Sequence, residues 1–147
     1  MTPPDDDART PDAQAPDASP SDAPTGASTG APLPEHLAEV QWIVDALDDK
    51  RAQDVRVLDL APLTASLDCF VIASAESQPQ MTALEDAVKE RMKAHGRLPR
   101  NVEAPSSRWV LMDYGGVVVH LMSPEAREFY DLEGLWADAE VLDVEPT

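Results

Sequence analysis

The sequence predicts an α/β or α+β domain, built on a central mixed sheet that is partly antiparallel, with about three helices. Several segments repeat apolar residues at helical spacing. Short runs rich in β-branched residues lie between them, and two of these runs flank a glycine-containing turn. The order along the chain is α-β-β-α-β-β-β-α, and the turn makes part of the sheet antiparallel.

The first helix is predicted over residues 35–50, where one apolar stripe is formed by Leu37, Val40, Ile43, Val44 and Leu47. Residues 54–60 (DVRVLDL) are typical of a strand that Pro62 closes. Residues 69–74 (CFVIAS) are almost all apolar. Such a run indicates a strand that is buried on both faces.

A second helix has clear start and stop signals. Ser77 is a plausible N-cap, Pro79 falls in the first turn and Gly96 stops the helix. Its apolar face consists of Met81, Leu84, Val88 and Met92. Residues 100–103 are predicted to form a short strand.

A hairpin follows, because residues 109–113 (WVLMD) and 117–123 (VVVHLMS) flank Tyr114-Gly115-Gly116. Ser123 caps a final helix whose first position is Pro124. The apolar side of this helix is predicted to consist of Phe129, Leu132, Leu135 and Trp136.

Both faces of the hairpin are largely apolar when Asp113 is placed opposite Val117. One face then holds Trp109, Leu111, Val119 and Leu121, and the other holds Val110, Met112, Val118, His120 and Met122. We therefore expect one sheet face, or its edge, to be exposed in the monomer and completed by another molecule. The alternative is that the chain's own helices cover both faces. A register shift of one residue would exchange the two sets.

The two ends of the chain differ from this core. Residues 1–34 contain 8 of the 14 prolines, 7 alanines and 6 aspartates, which is typical of a disordered acidic tail. Residues 137–147 (ADAEVLDVEPT) are interpreted as a second, short acidic tail. The folded domain is therefore expected over residues 35–136.

The charge of the chain restricts its partners. Asp and Glu number 28 against 11 Lys and Arg, so the formal net charge is −17. This excess argues against a general nucleic-acid binder and against adsorption to an anionic membrane, but it favours a basic protein partner. There is no recognisable secretory signal or membrane-spanning run, so we expect a cytoplasmic protein.

The sequence offers little evidence of chemistry. It has no phosphate-binding glycine loop, and the three histidines lack metal-ligand spacing. Cys69 is best interpreted as a small core residue. We therefore expect no catalytic residue, no cofactor and no metal. A weak alternative is a carboxylate site that uses Asp59, Asp68 or Glu103.

Four blocks resemble one family, the ribosomal silencing factors, also called Iojap-like or RsfS proteins. The blocks are residues 43–60 (IVDALDDKRAQDVRVLDL), 66–80 (SLDCFVIASAESQPQ), 109–122 (WVLMDYGGVVVHLM) and 127–136 (REFYDLEGLW). The resemblance covers about residues 37–136. It implies a nucleotidyltransferase-like fold without the catalytic aspartates of those enzymes.

The resemblance also implies a function. Family members bind the large ribosomal subunit through a ribosomal protein, number fourteen of the large-subunit series, on the joining face. They thereby block association with the small subunit and repress translation, without acting as enzymes. We expect little direct RNA contact. Two alternatives stay open: a nucleotidyltransferase-like enzyme, and a homodimeric structural module.

The residues that we expect to contact the partner are Trp109, Leu111, Asp113, His120, Met122, Tyr130 and Glu133. Trp and Tyr are common interface anchors, and the acids could pair with basic side chains of the partner. Alternatively, Trp109 is a core residue and the acids are only solvated. Arg127 is expected to pair with Asp131, four residues further along the helix.

Overall fold

The structure, a computed structural model, describes residues 33–147. The tail predicted over residues 1–34 therefore lies, but for its last two residues, outside the described part of the chain. The elements are α1 (Pro34–Asp49), β1 (Gln53–Asp59), β2 (Cys69–Ser74), α2 (Gln78–Ala94), β3 (Asn101–Ser106), β4 (Trp109–Asp113), β5 (Val117–Met122), α3 (Pro124–Tyr130), α4 (Leu132–Leu135) and β6 (Glu140–Leu142).

The strands form one six-stranded sheet in the order β3-β4-β5-β2-β1-β6. β2 and β5 run parallel at its centre, and the other neighbouring pairs are antiparallel. Every residue of β2 and β5 is buried, as the apolar composition of both segments predicts. The predicted mixed, partly antiparallel sheet is confirmed.

α1 and α2 pack on one side of the sheet, which we call the covered face. Their inward stripes are those predicted from helical spacing, except that Leu37 is exposed. Ser77 caps α2 by accepting a hydrogen bond from the backbone N–H of Gln80 at 3.2 Å, and Gly96 ends it with φ of 78°. No helix within residues 33–147 has the length and apolar content needed to cross a bilayer.

α3 and α4 pack on the opposite side, which we call the aromatic face. Ser123 caps α3, as predicted, by accepting a hydrogen bond from the N–H of Ala126 at 3.0 Å. The single final helix that the sequence predicts is broken at Asp131, which adopts φ of 49° and caps α4. Phe129 of α3 and Leu135 of α4 are both highly exposed, so the prediction that they lie on the apolar inner side is wrong.

The hairpin register differs by one residue from the one assumed above. Asp113 pairs with Val118, because the N–H of Tyr114 donates to the carbonyl of Val117 and closes the turn. The faces are exchanged accordingly. Trp109 and Leu111 share the aromatic face with Val118, His120 and Met122, and the covered face holds Val110, Met112, Val119 and Leu121.

The C-terminal segment adds a strand that the sequence did not predict. β6 pairs with the end of β1, so that Val57 lies opposite Leu142. The segment is also tied to α1, since the side chain of Asp45 accepts hydrogen bonds from the backbone N–H and the hydroxyl of Thr147. Part of the expected acidic tail is therefore an edge of the sheet.

Candidate interaction surface

A row of aromatic rings crosses the aromatic face from solvent to core. Successive ring centroids are 4.5 to 6.0 Å apart along the series Phe129, Tyr130, Trp109, His120, Phe70 and Trp136. The exposed fraction falls from 80% at Phe129 and 40% at Tyr130 to 3% at His120. The middle of the row, His120 and Phe70, is therefore core, Trp136 at its far end is half-buried, and the end at Phe129 and Tyr130 meets solvent.

The exposed end of this row forms an apolar surface, the outer patch, made of Trp109, Leu111, Phe129 and Tyr130. Trp109 and Leu111 are half-buried, and the other two are exposed. A shallow groove runs beside the patch, lined by Ser106, Arg108, Glu125, Ala126, Phe129 and Tyr130. Contiguous apolar surface of this kind is often a partner site.

The patch exists because the covering helices are short. α3 has seven residues and α4 has four, and the turn between them ends the cover. The neighbouring edge strand β3 is exposed along its length apart from half-buried Ser106. The two alternatives for the sheet, a face left exposed and faces covered by the chain's own helices, are therefore each right in part. The helices bury the centre of the aromatic face, but not its β3 side.

The predicted contact residues divide into two groups. Trp109, Leu111 and Tyr130 lie in the outer patch, and Asp113 is half-buried at the end of β4. Met122 is fully buried and His120 is 3% exposed, so neither offers surface to a partner. Sequence patterning could not separate these groups, because the strand register and the cover of α3 decide which side chains reach solvent.

Glu133 already has a partner within the chain. The guanidinium of Arg127 donates to both of its carboxylate oxygens at 3.0 Å, and this pairing lowers the pKa of Glu133. The predicted Arg127–Asp131 pair is wrong, since Asp131 instead accepts from the N–H of Gly134. Glu133 is therefore part of the domain's own framework.

Arg127 links three parts of the aromatic face. Besides Glu133, it donates to the backbone carbonyl of Asp54 at 2.6 Å and to the hydroxyl of Ser74 at 2.9 Å. Its side chain is only 10% exposed. Arg127 therefore fixes α3, and the aromatic residues at its end, against β1 and β2.

Phe129 is the residue of the surface that sequence reasoning assigned wrongly. Helical periodicity places it inside, because the pattern continues through Asp131 as if the helix were unbroken. Asp tolerates the left-handed conformation better than most residues, so Asp131 is the only local signal of the break, and it is a weak one.

Glu103 does not join the other two carboxylates of the alternative enzyme hypothesis. Asp59 and Asp68 do lie near each other: burial raises the pKa of Asp59, and the neighbouring carboxylates of Glu140 and Asp68 raise it further. Asp59 lies on β1 and Glu103 on β3, and β2, β5 and β4 separate these strands. Asp68 accepts hydrogen bonds from the N–H of Leu33 and from His36. Within residues 33–147 there is no group of three or more His, Cys, Asp or Glu side chains placed to hold a metal ion.

Two buried titratable groups, Cys69 and His120, are held neutral. Burial raises the pKa of Cys69 to about 12, so the thiolate that a nucleophile needs is disfavoured. Burial lowers the pKa of His120 to about 4, so this imidazole is uncharged at neutral pH. Cys69 is wholly inaccessible, in agreement with its interpretation as a core residue.

The surroundings of the patch are acidic. Residues 33–147 carry 22 acidic and 10 basic side chains, and so a formal charge of −12. Glu125 and Glu128 are exposed on α3, and exposed Glu103 lies opposite Leu111 on the aromatic face, while exposed Arg108 of the groove is a basic neighbour. An apolar patch with acidic neighbours is complementary to a basic protein surface.

These features define a class: a small α/β domain with two long helices on one face of a mixed sheet and two short helices that cover only part of the other, aromatic face. Comparison with known proteins narrows the class. The family described as "Ribosomal silencing factor during starvation" matches residues 34–147. The chain belongs to this ribosomal silencing factor (RsfS) family, and the resemblance of the four sequence blocks is confirmed.

Individual relatives agree with this membership. The Zymomonas mobilis ribosomal silencing factor RsfS is 38% identical over 104 residues, which cover 70% of this chain and 77% of that protein. A crystal structure of a Chromobacterium violaceum protein superposes with a TM-score of 0.66 at 32% identity, covering 76% of this chain and 89% of the other. A mouse protein named for mitochondrial assembly of the ribosomal large subunit is 30% identical over 102 residues, which cover 67% of this chain and 45% of its own length.

Proposed function

We propose that this protein binds the large ribosomal subunit through a basic ribosomal protein on the joining face, number fourteen of the large-subunit series. Bound there, it excludes the small subunit and represses translation. Membership of the family supports a role on the ribosome. The observation that carries the proposed mode of binding is the outer patch, an exposed aromatic surface within an acidic domain.

The patch supplies the apolar part of the contact. Phe129 and Tyr130 project from the end of α3, and Trp109 supports Tyr130 from the sheet at a centroid distance of 4.7 Å. Aromatic residues that become desolvated at the centre of an interface contribute most of its binding energy. We expect Trp109 and Tyr130 to be such anchors, with Phe129 extending the contact outward.

The charge selects the kind of partner. A domain with a formal charge of −12 attracts a basic protein and is repelled by the phosphates of neighbouring RNA. We therefore expect the interface with the large subunit to consist mainly of protein–protein contacts, with little direct RNA contact. Its affinity should fall with salt, but less steeply than the affinity of an RNA-binding protein does.

The mechanism requires position and affinity rather than bond chemistry. A domain of this size, seated on the joining face, occupies space that the small subunit needs. No covalent step is involved, and no cofactor or metal takes part in the proposed mechanism. The site of action is the cytoplasm, where the two subunits join.

Sucrose-gradient sedimentation of purified subunits tests this proposal. Adding the protein to separated subunits should lower the fraction that assembles, and the protein should sediment with the large subunit. Phe129→Ser should weaken both effects. Leu98→Ser is the matched control, because Leu98 is also highly exposed, at 70%, but follows α2 of the covered face. Unchanged assembly in the presence of excess wild-type protein would contradict the proposal.

A second copy of the chain is the other occupant that would fit an apolar patch. Sedimentation velocity of the protein alone distinguishes this case. If the patch serves only as a dimer contact, Phe129→Ser should convert dimers to monomers and leave subunit association as it was. If the wild-type protein is already a monomer and Phe129→Ser loses binding to large subunits, the result supports the ribosomal role.

A further inference from the structure

His120 is a polar residue inside an apolar strand. It lies in β5, where all six residues are buried, and it is itself 3% exposed. Its Nδ1 atom accepts a hydrogen bond from the indole N–H of Trp109 at 3.2 Å. Its Nε2 atom is buried and has no hydrogen-bond partner within residues 33–147.

The hydrogen bond fixes the protonation of the ring. The indole N–H can only donate, so Nδ1 must carry no proton and the imidazole proton lies on Nε2. That proton is therefore on the atom without a partner. A buried, unpaired N–H is unfavourable for folding, and leucine would occupy this place without that penalty. Among the residues that the structure describes, the only polar contact that distinguishes histidine here is the one to Trp109.

Trp109 joins the buried and exposed parts of the aromatic row. The ring of Tyr130 packs on its outer side, and His120 holds its N–H from the inside. Phe70 meets the His120 ring nearly edge-on, at a centroid distance of 4.5 Å and an interplanar angle of 68°, so the imidazole is itself held in place. Fixing a side chain before association reduces the entropy lost when a partner binds.

We infer that His120 is a positioning residue for docking: its Nδ1 atom fixes the orientation of the Trp109 indole that the basic partner meets. This inference rests on the proposed function, in which Trp109 is an anchor. His120 does not touch the partner. It acts through Trp109, which explains why a side chain with almost no exposed surface would affect binding.

Three substitutions separate this role from packing. His120→Leu removes the acceptor and keeps an apolar side chain, whereas His120→Asn can place an amide oxygen near the position of Nδ1. Trp109→Phe removes the donor and keeps a ring. The indole N–H resonance of Trp109, assigned by its absence in Trp109→Phe, reports the hydrogen bond directly, and binding to isolated large subunits reports docking.

In His120→Leu, the Trp109 indole resonance should shift and its proton should exchange faster with solvent. Binding to large subunits should weaken about five- to tenfold, as expected for one lost net hydrogen bond. The midpoint of urea unfolding should stay the same or rise. His120→Asn should bind within about twofold of wild type, and His120→Leu should have no further effect on binding in the Trp109→Phe background.

Several outcomes would overturn the inference: wild-type affinity in His120→Leu, an unchanged indole resonance, or a loss of affinity that only accompanies a loss of stability. If His120→Leu does not fold, His120→Phe removes the same acceptor and takes its place. If the wild-type protein does not bind large subunits at all, that result contradicts the proposed function. The resonance experiment needs no ribosome, and it then shows separately whether His120 fixes the indole.

Discussion

The two faces of the sheet have similar apolar composition but different cover. On the covered face, α1 and α2, of 16 and 17 residues, bury their apolar stripes against the strands. On the aromatic face, α3 and α4 are too short to reach the β3 side, and the outer patch stays accessible. The same kind of side chain therefore stabilises the fold on one face and is available for recognition on the other.

The largest expected effect tests this division on the covered face. Leu84 of α2 is completely buried there. Leu84→Ala should lower the free energy of unfolding by about 3 kcal/mol, because it removes buried methyl groups and leaves a cavity. Urea denaturation measures this loss.

Phe129→Ala on the exposed patch is the matched variant, and it should change stability by less than about 0.5 kcal/mol. Comparable losses of stability from the two substitutions would show that the faces do not differ in the way their exposure indicates.

The second prediction concerns how the stability of the aromatic face depends on pH. His120 of the aromatic face has a folded-state pKa of about 4, below its ordinary value of 6.5. The unfolded chain therefore binds more protons, and the folded state loses stability as pH falls from about 6.5 to about 4. This group should account for a loss of up to about 3 kcal/mol at pH 4 and none above pH 7.

The pH effect is measured as the difference between two unfolding curves, for wild type and His120→Leu, taken at each pH. Carboxylates titrate in both proteins, and their contribution cancels in the difference. A constant difference between pH 7 and pH 4 would mean that the imidazole is not the group responsible.

A pair of tryptophans compares the two faces in binding. Trp109 lies in the outer patch, whereas Trp42 of α1 stacks on His95 at a centroid distance of 3.8 Å. Both are half-buried. Trp109→Ala should weaken binding to large subunits by about 2 kcal/mol or more, as substitution of an interface anchor does.

Trp42→Ala should lower stability without a specific loss of affinity. Co-sedimentation at a temperature where both variants are folded makes the comparison. If Trp109→Ala stays folded and co-sediments as wild type does, Trp109 is not an anchor.

The elements of the fold could be predicted because their signals are local. Helical spacing, the caps Ser77 and Ser123, and the glycine turn of the hairpin each act within a few residues. The two caps were confirmed, and so was the buried stripe of the second helix, whereas the final helix proved to be broken and the hairpin register differed by one residue. β6 was missed because its three residues are defined only by pairing with β1, which is remote in sequence. Contacts of that kind leave no local pattern.

The surface was predicted less well, because it depends on small geometric choices. A one-residue difference in the hairpin turn changed which residues of β4 and β5 share a face, and the left-handed conformation of Asp131 breaks the final helix in two. The same break brings Glu133 onto Arg127, six residues away, instead of leaving it free for a partner. Composition does not determine any of these choices. Of the residues predicted to contact a partner, Trp109, Leu111 and Tyr130 do reach the surface, and their role in binding stays a prediction.

The smallest expected effect concerns the charged rim. Glu103 lies on exposed β3, opposite Leu111 and on the same face as the patch. Glu103→Lys should weaken binding to large subunits by less than about 1 kcal/mol, because exposed ion pairs are well solvated and screened by salt. The change should appear mainly as slower association and a shallower dependence on salt, since rim charges steer the encounter of two proteins. Association rates at two or more salt concentrations measure this change.

Glu90→Lys, on the exposed side of α2, is the control, and it should alter the rate less because it is remote from the patch. Equal effects of the two substitutions would mean that only the total charge matters, and faster association in Glu103→Lys would indicate that the surface beside the patch meets RNA rather than a basic protein.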